Sequence, residues 1–495
     1  MKRIITLLLA CVMLLTSVMA VACADNDSGN TDNGDDNGRI WLDNLPDGLD
    51  FGGEEICFVF AEGANGFTQR SIEVDEESAD SVDKKIYQRN TDVETRLNVD
   101  IVSFQASDSI LGLSGAISSS LNAASGEYDV IAGYQYYDIG LASEGFLINY
   151  NDLGSGDYED AGYIDLSAEY WATAYNDSLS YNGSTYWLTG DLALRYLGGM
   201  YCTYVNETIY KEKLYDTYGD IYKIAKEGKW NLDLLNEMAK LCYEDLGNEG
   251  TDEDDMLGYA WEANDPIDGL AFASNVKFST AYSDGSMHIS LNTNNAHTVS
   301  FIEKLDKLLS SEYSCEVADA DSATVMTAFS NGNVAFTVNK IFQAETYLRE
   351  MEDNYYIIPA PKLNADQTNY VTGIHDGCTI FGIPYDAPNV AASAATLEAL
   401  AAESLRSVTP EYYDSSLKFK YTRDDVASEM IDLIRASTDT NFAAAWSASC
   451  NAIVHYFRTN HASGTASSGL KRTCDAADTQ LQALLEKLDG LKVTE

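Results

Sequence analysis

The sequence predicts an α/β fold organised around parallel sheets, and three observations carry that prediction. Short runs of β-branched and aromatic residues recur along most of the 495 residues. Stretches with apolar side chains at helical spacing lie between them. The order strand, helix, strand, helix, strand over residues 54–132 is the signature of a parallel α/β unit. With 45% hydrophobic residues and only 7 prolines, the chain can bury a large core, and its length suits two to four ordinary domains or two large lobes.

The first strand is EEICFVF (54–60), a buried-strand run. Helical spacing follows in Val82, Ile86, Val93 and Leu97, and then a second strand in VDIVSF (99–104). A Ser-, Ala- and Gly-rich helical stretch leads to EYDVIAG (127–133), where Tyr128, Val130 and Ala132 alternate as a third strand. Tyr134, Tyr136 and Tyr137 follow at once, and such rings are either core or a platform for stacking. TYWL (185–188) and MYCTYV (200–205) read as strands. Asn231 is a good N-cap for a helix with Leu234, Leu235, Met238 and Leu241 on one face. VSFIEKLDKLL (299–309) is an amphipathic helix, and NVAFTV (333–338), YYIIPAPKL (355–363) and CTIFGIP (378–384) contain strands. A helix over 389–407 is expected to stop before Pro410, and helices over 426–436 and 475–491 close the chain. No internal repeat is visible.

The amino end has the layout of a secretory signal over residues 1–22. Lys2 and Arg3 supply the positive end, Ile4 to Val18 the apolar stretch, and Ala20-Val21-Ala22 a small-residue cleavage site. Cleavage there leaves Cys23 first, and Ala-Val-Ala-Cys resembles the lipobox of bacterial lipoproteins, departing from it at Ala20. Residues 24–39, ADNDSGNTDNGDDNGR, offer too little apolar surface to offset the cost of ordering them. Residues 23–50 are therefore expected to form a lipid-anchor cysteine and a tether, placing the folded body outside the cell membrane.

A formal charge of −47 repels phosphate backbones and anionic headgroups, which argues against nucleic acid as a partner, and none is expected. Of the nine cysteines, seven are scattered through the body with no CxxC and no histidine at metal spacing. They read as small buried hydrophobes rather than a disulfide framework. The stretch DLGNEGTDEDD (245–255) approaches a calcium loop at Asp245, Glu249 and Gly250. Gly247 and Met256 stand where two ligands are needed, so a solvated acidic loop is expected. No metal and no cofactor is predicted.

Four stretches in order resemble the extracellular solute-binding proteins of ABC importers, the maltose-binding-protein-like family 1. They are YDVIAGYQYYDIGLASEGFLINYNDL (128–153), NGSTYWLTGDLALRYLGGMYCTYVNETIYKEKL (182–214), AFSNGNVAFTVNKIFQAE (328–345) and YYIIPAPKL. The resemblance implies a two-lobed periplasmic-binding-protein-like fold of type II, with three inter-lobe crossings and a ligand cleft. Carried onto this chain, lobe one takes 51–191 and 364–409, and lobe two takes 197–362 and 410–495. It also implies ABC permease subunits as partners, a monomer, membrane attachment through the lipid alone, and no enzymatic activity.

Ligands of open α/β sheets sit outside the carboxyl ends of the strands. That rule selects Glu62 after the first strand, Tyr134, Tyr136, Tyr137 and Asp138 after the third, and Asp191 and Arg195 after TYWL. The resemblance adds Phe342 as an aromatic platform and Trp446 as a late aromatic. His375 and Asp376 precede their strand and rank lower. Aromatic faces beside carboxylates, amides and an arginine suit a carbohydrate, whose ring presents C–H faces and equatorial hydroxyls. The alternatives are a peptide-binding or adhesive surface lipoprotein and then a secreted glycosidase, which needs only two carboxylates at suitable separation. The sequence lacks HExxH, GxSxG and a phosphate-binding loop.

Overall fold

The computed structural model describes residues 40–62, 66–247, 251, 255–317, 323–418 and 425–491. The chain divides into two units, Met1–Trp41 and Leu42–Glu495. Only Ile40 and Trp41 of the first unit are described, so the secretory signal, Cys23 and the stretch 24–39 lie outside the described residues. The second unit contains the strands β1 (Glu54–Ala61), β2 (Val99–Ser107), β3 (Val130–Tyr134), β4 (Tyr201–Asn206), β5 (Leu257–Trp261), β6 (Ser279–Ala281), β7 (Met287–Ile289), β8 (Ser314–Glu316), β9 (Val334–Lys340), β10 (Tyr355–Pro359) and β11 (Thr379–Gly382).

They form two main sheets. The first has the order β11-β3-β1-β2, with β1 parallel to β2 and β3 and with β11 antiparallel to β3. The second has the order β10-β4-β9-β5-β8, antiparallel across β10, β4 and β9 and parallel across β9, β5 and β8. β6 and β7 make a separate hairpin. Strands such as β4, YCTYVN, are buried at every position. A strand covered on both faces reads as a continuous apolar run rather than an alternation.

In the first layer, α1 (Phe67–Ile72) follows β1 and α2 (Ser81–Leu97) leads to β2. Asp80 caps α2, accepting from the backbone N–H of Val82 at 2.8 Å and of Asp83 at 3.2 Å. Val82, Ile86, Val93 and Leu97 are buried, as their spacing predicts. Each contributes roughly 1.5–3 kcal/mol through the apolar surface it removes from water. α3 (Leu113–Ala123) turns Leu113, Ile117 and Leu121 inward before β3. The stretch after β3 is not an open loop: Gln135–Asp138 forms one helical turn, α4.

TYWL makes no ladder. Leu188 forms a single antiparallel bridge to Phe381 on the outer edge of β11. The chain then passes through α5 (Leu194–Gly198) into β4. α6 (Leu232–Cys242) begins where expected, with Asn231 accepting from Asp233 and Leu234. Its buried face is Leu232, Leu235, Met238, Ala239 and Cys242, and Leu241 is exposed. The stripe is rotated from the expected one because small Ala239 and Cys242 fit against the sheet as well as leucine does.

α7 (Phe342–Tyr347) follows β9, and α8 (Val390–Glu403) packs on α2 and β1. Pro410 does not end the helical path. Ser404–Val408 is a π-helical turn, and a further helix starts at Thr409 with Pro410 in its first turn, where a missing N–H costs nothing. α9 (Ser463–Leu491) is longer than the predicted 475–491 and packs against both β7 and Ile139–Glu144. No helix among the described residues is long and apolar enough to cross a membrane.

Candidate functional site

A cavity of about 650 Å³ lies between the two sheets. Its walls come from the segments that follow the carboxyl ends of five strands. Phe67 and Arg70 follow β1, Ile110 follows β2, Tyr134 ends β3, Asn264 and Asp265 follow β5, and Lys340 and Phe342 end and follow β9. Arg195 on α5, His375 before β11 and Arg458 complete it. A larger hollow of about 870 Å³, lined by Lys277, His297, Asn364 and Asp439 among others, opens elsewhere and takes no side chain from the carboxyl ends of the first sheet.

Both layers touch across the cavity. The Phe67 and Phe342 rings are 5.4 Å apart at 44°, and Arg70 reaches Glu345 at 3.1 Å. Arg70 also pairs with Asp80 at 2.8 Å and Asp83 at 2.5 Å, so α2 holds it in place. At the floor, Lys340 pairs with Asp265, and both are about 5% exposed. His375 Nε2 lies 3.2 Å from the same Asp265 carboxylate. Burial alone raises the Asp265 carboxyl, but the Lys340 charge and the His375 hydrogen bond hold it well below the usual range.

The sequence-derived residues divide between wall, support and core. Tyr134, Arg195 and Phe342 line the cavity. Glu62 lies behind Arg195. One of its oxygens accepts from the Thr68 and Gln69 N–H groups at 2.7 and 3.2 Å, and the other receives Arg195 at 3.3 Å. Tyr136 stacks on His455 at 4.9 Å, and Tyr137 sets its edge on Tyr136 and is 42% exposed. Asp138 is buried, accepting from the Tyr134 N–H at 2.8 Å and the Ser114 hydroxyl at 2.6 Å, and so fastens the turn after β3. Asp191 is buried between Thr409 and Arg435. Trp446 is buried in the core, stacked on Phe442 at 5.5 Å, with its indole N–H donated to the Leu179 carbonyl.

His375 ranked low because it precedes its strand, yet it lines the cavity. β11 runs antiparallel to β3, with Thr379 opposite Tyr134, so the amino end of β11 sits beside the carboxyl end of β3. Gly377 leaves room for this approach, since an added Cβ would fall 2.4 Å from the Tyr134 hydroxyl. Sequence reasoning also passed over Phe67, Arg70, Ile110, Asn264, Asp265, Lys340 and Arg458. The carboxyl-end rule could have found Asn264 and Asp265 after β5. Arg458 carries no such signal. The acidic stretch 245–255 is described only in part, and Asp255 is buried, accepting from the Leu246 N–H at 2.9 Å. Among the described residues no group of His, Cys, Asp and Glu could hold a metal ion, and the seven cysteines of the body form no disulfide there.

Three buried carboxyls have only uncharged donors as partners. Burial pushes Asp129 and Asp138 up to about 6 and Glu398 up to about 7. Glu398 accepts from the Tyr170 hydroxyl at 2.5 Å and the Trp171 indole at 3.0 Å. Between about pH 4 and these values the native state holds a proton that the unfolded chain, with carboxyls near 4, has released. Their contribution to stability is therefore full below about pH 4 and is lost as pH rises through about 6 to 7. A charge of −47 acts in the same direction. The melting temperature is expected to rise by several degrees as pH is lowered from about 8 to about 5. A flat or falling profile over that range, followed by calorimetry, would contradict this assignment.

No protein-family profile matches the sequence, and no curated protein matches it. Solved structures do match. A cyclo/maltodextrin-binding protein complexed with maltotetraose is 12% identical, with a TM-score of 0.52 over 88% of this chain and 97% of its own. An ABC transporter solute-binding protein from Thermotoga lettingae, bound with alpha-D-tagatose, is 12% identical, with a TM-score of 0.52 over 87% of this chain and 100% of its own. A sugar transporter from Rhizobium etli in an open conformation is 12% identical, with a TM-score of 0.55 over 88% of this chain and 99% of its own. The likeness is one of fold. This chain has the two-lobed α/β fold of the solute-binding proteins of ABC transporters, the fold implied by the resemblance read in its sequence.

Proposed function

We propose that this protein is the extracytoplasmic substrate-binding component of an ABC importer and captures a carbohydrate, in the first instance an oligosaccharide, between two lobes. The observation that carries this reading is the cavity of about 650 Å³ with Phe67, Tyr134 and Phe342 in its walls beside amide, carboxylate and guanidinium groups. Sugar rings stack their C–H faces on such rings and give their hydroxyls to such partners. The volume lies within the roughly 300–1,000 Å³ of small-ligand sites. Gln343 Oε1 and Glu345 Oε2 are buried and accept no hydrogen bond among the described residues, so both are available to ligand hydroxyls.

In this reading, lobe one comprises 51–191 and 364–409, and lobe two 197–362 and 410–495, with three crossings between them. A secretory signal ends at residue 22, and a lipid on Cys23 holds the monomer at the outer face of the membrane. Ligand bridges the lobes, closure creates the surface that a permease recognises, and ATP hydrolysis takes place in the transporter. This chain performs no chemistry. The fold neighbours named above are binding and transport proteins, which supports that view.

A thermal-shift screen of mono- and oligosaccharides tests the reading. A ligand at about 100 times its dissociation constant adds ~2.7 kcal/mol of apparent stability. Phe342→Ala is expected to weaken binding about tenfold, because stacking on one ring is worth roughly 1 kcal/mol or more. The unliganded melting temperature should move little, since Phe342 is only partly buried. Shifts with peptides but not with glycans, or release of sugar products from an oligosaccharide, would overturn the assignment.

A further inference from the structure

The cavity wall is richer in basic side chains than the protein as a whole. Over the whole sequence acidic residues outnumber basic ones, 78 to 31. In the cavity wall the basic side chains are Arg70, Arg195, Lys340, Arg349 and Arg458, against the carboxylates of Asp265 and Glu345. Most of these cations are already held. Arg70 is engaged by Asp80, Asp83 and Glu345, Lys340 by Asp265, and Arg458 by Asp268.

Arg195 differs. It is 9% exposed, and its guanidinium lies over the Phe67 ring at 5.6 Å and the Tyr134 ring at 5.4 Å. Its hydrogen bond to Glu62 is long, 3.3 Å, and the other oxygen of Glu62 already accepts two backbone N–H groups. Arg195 Nε is buried and donates to no group among the described residues. A buried guanidinium N–H left unpaired is costly, so this donor is expected to be satisfied by what enters the cavity. Guanidinium groups favour planar two-oxygen acceptors, and the flanking rings fix the plane in which such a group is met.

We infer that the saccharide carries an oxyanion, either the carboxylate of a uronic acid or a phosphate ester, and that Arg195 receives it. This rests on the carbohydrate reading above and narrows its substrate class. With the other wall cations neutralised by their carboxylate partners, Arg195 supplies the directed hydrogen bond. Phe67, Tyr134 and Phe342 remain for the sugar faces.

Titration calorimetry with the intact protein tests this. The probes are oligogalacturonates, glucuronate-containing disaccharides and glucose 6-phosphate, each set against neutral maltotriose, cellotriose and galactotriose. Binding of a charged probe at least tenfold tighter than its neutral counterpart, weakening with added NaCl, is the expected result. Uronates and the phosphate ester, run as separate arms, distinguish the two sources of the oxyanion. Arg195→Met is expected to weaken the charged probe by about tenfold to a hundredfold, the loss of a charge-assisted hydrogen bond. Arg195→Lys should recover part of that loss. Binding of neutral oligosaccharides without preference for the charged ones, or unchanged affinity in Arg195→Met, overturns the inference and leaves the carbohydrate reading in place. If saccharides of neither kind bind, the carbohydrate reading itself fails. The comparison of charged with neutral probes on the unsubstituted protein decides the matter even if Arg195→Met does not fold.

Discussion

Replacing Trp187 by alanine is expected to lower the stability of the protein by about 3–5 kcal/mol, the range for removing a large aromatic from a core. The indole is completely buried and lies directly under the turn that carries the tyrosines. Its Nε1 donates to the Ile139 carbonyl at 3.1 Å, immediately after α4. Two glycines accommodate its faces. A Cβ at Gly382 on β11 would fall 2.8 Å from the indole, and one at Gly133 on β3 would fall 3.5 Å from it. Alanine would leave a void beneath both strands and remove the indole donor from the residue 139 carbonyl. Trp187→Phe keeps most of the packing and loses the hydrogen bond, so a cost nearer ~1 kcal/mol is expected from that bond. Urea unfolding of the three proteins measures this. Because the same indole supports the turn after β3, Trp187→Ala should also weaken ligand binding, although Trp187 is not in the cavity wall. A ΔΔG below about 1 kcal/mol for alanine would show that the indole is not the support described.

The second large effect is expected at Asp191. Its carboxylate accepts from the Thr409 hydroxyl at 2.6 Å and pairs with Arg435, joining three stretches that are far apart in sequence. Asp191 is 1% exposed, and the Arg435 side chain is 24% exposed. Asp191→Ala would leave the guanidinium largely buried without its counter-charge, a change that costs about 3–5 kcal/mol for fully buried pairs. The residual exposure of Arg435 puts the expectation at the lower end, near 3 kcal/mol. Asp191→Asn retains an acceptor for Thr409 and should lie between. The double variant Asp191→Ala with Arg435→Met should be less destabilised than the sum of the single changes, because it removes the stranded charge. Additive losses would show that the pair is not coupled.

The three tyrosines show how far sequence alone reaches. Their position after a strand pointed to the cavity end of the sheet, and Tyr134 is in the cavity wall. Tyr136 instead stacks on His455, more than three hundred residues later, and Tyr137 rests on Tyr136 at the surface. Asp138, equally adjacent in sequence, turns inward and binds the backbone of its own turn. Side chains one and two positions apart on a single helical turn point in different directions, and the chain that closes over them decides which direction is buried.

Much of the architecture was determined by the sequence itself. Apolar runs, helical spacing and the caps Asp80 and Asn231 depend on neighbours a few residues away, so they are legible without the fold. The rotated face of α6, the helical continuation through Pro410 and the burial of Trp446 depend on what packs against them. The antiparallel pairing of β11 with β3 is what brings His375 to the cavity. The same long-range packing leaves Arg195 beside Phe67, Tyr134 and Glu62 with a donor unpaired. Local periodicity reports which side of an element is apolar. Which charged groups converge, and which of them remain unsatisfied, is set by contacts between segments hundreds of residues apart, and only the tertiary structure decides it.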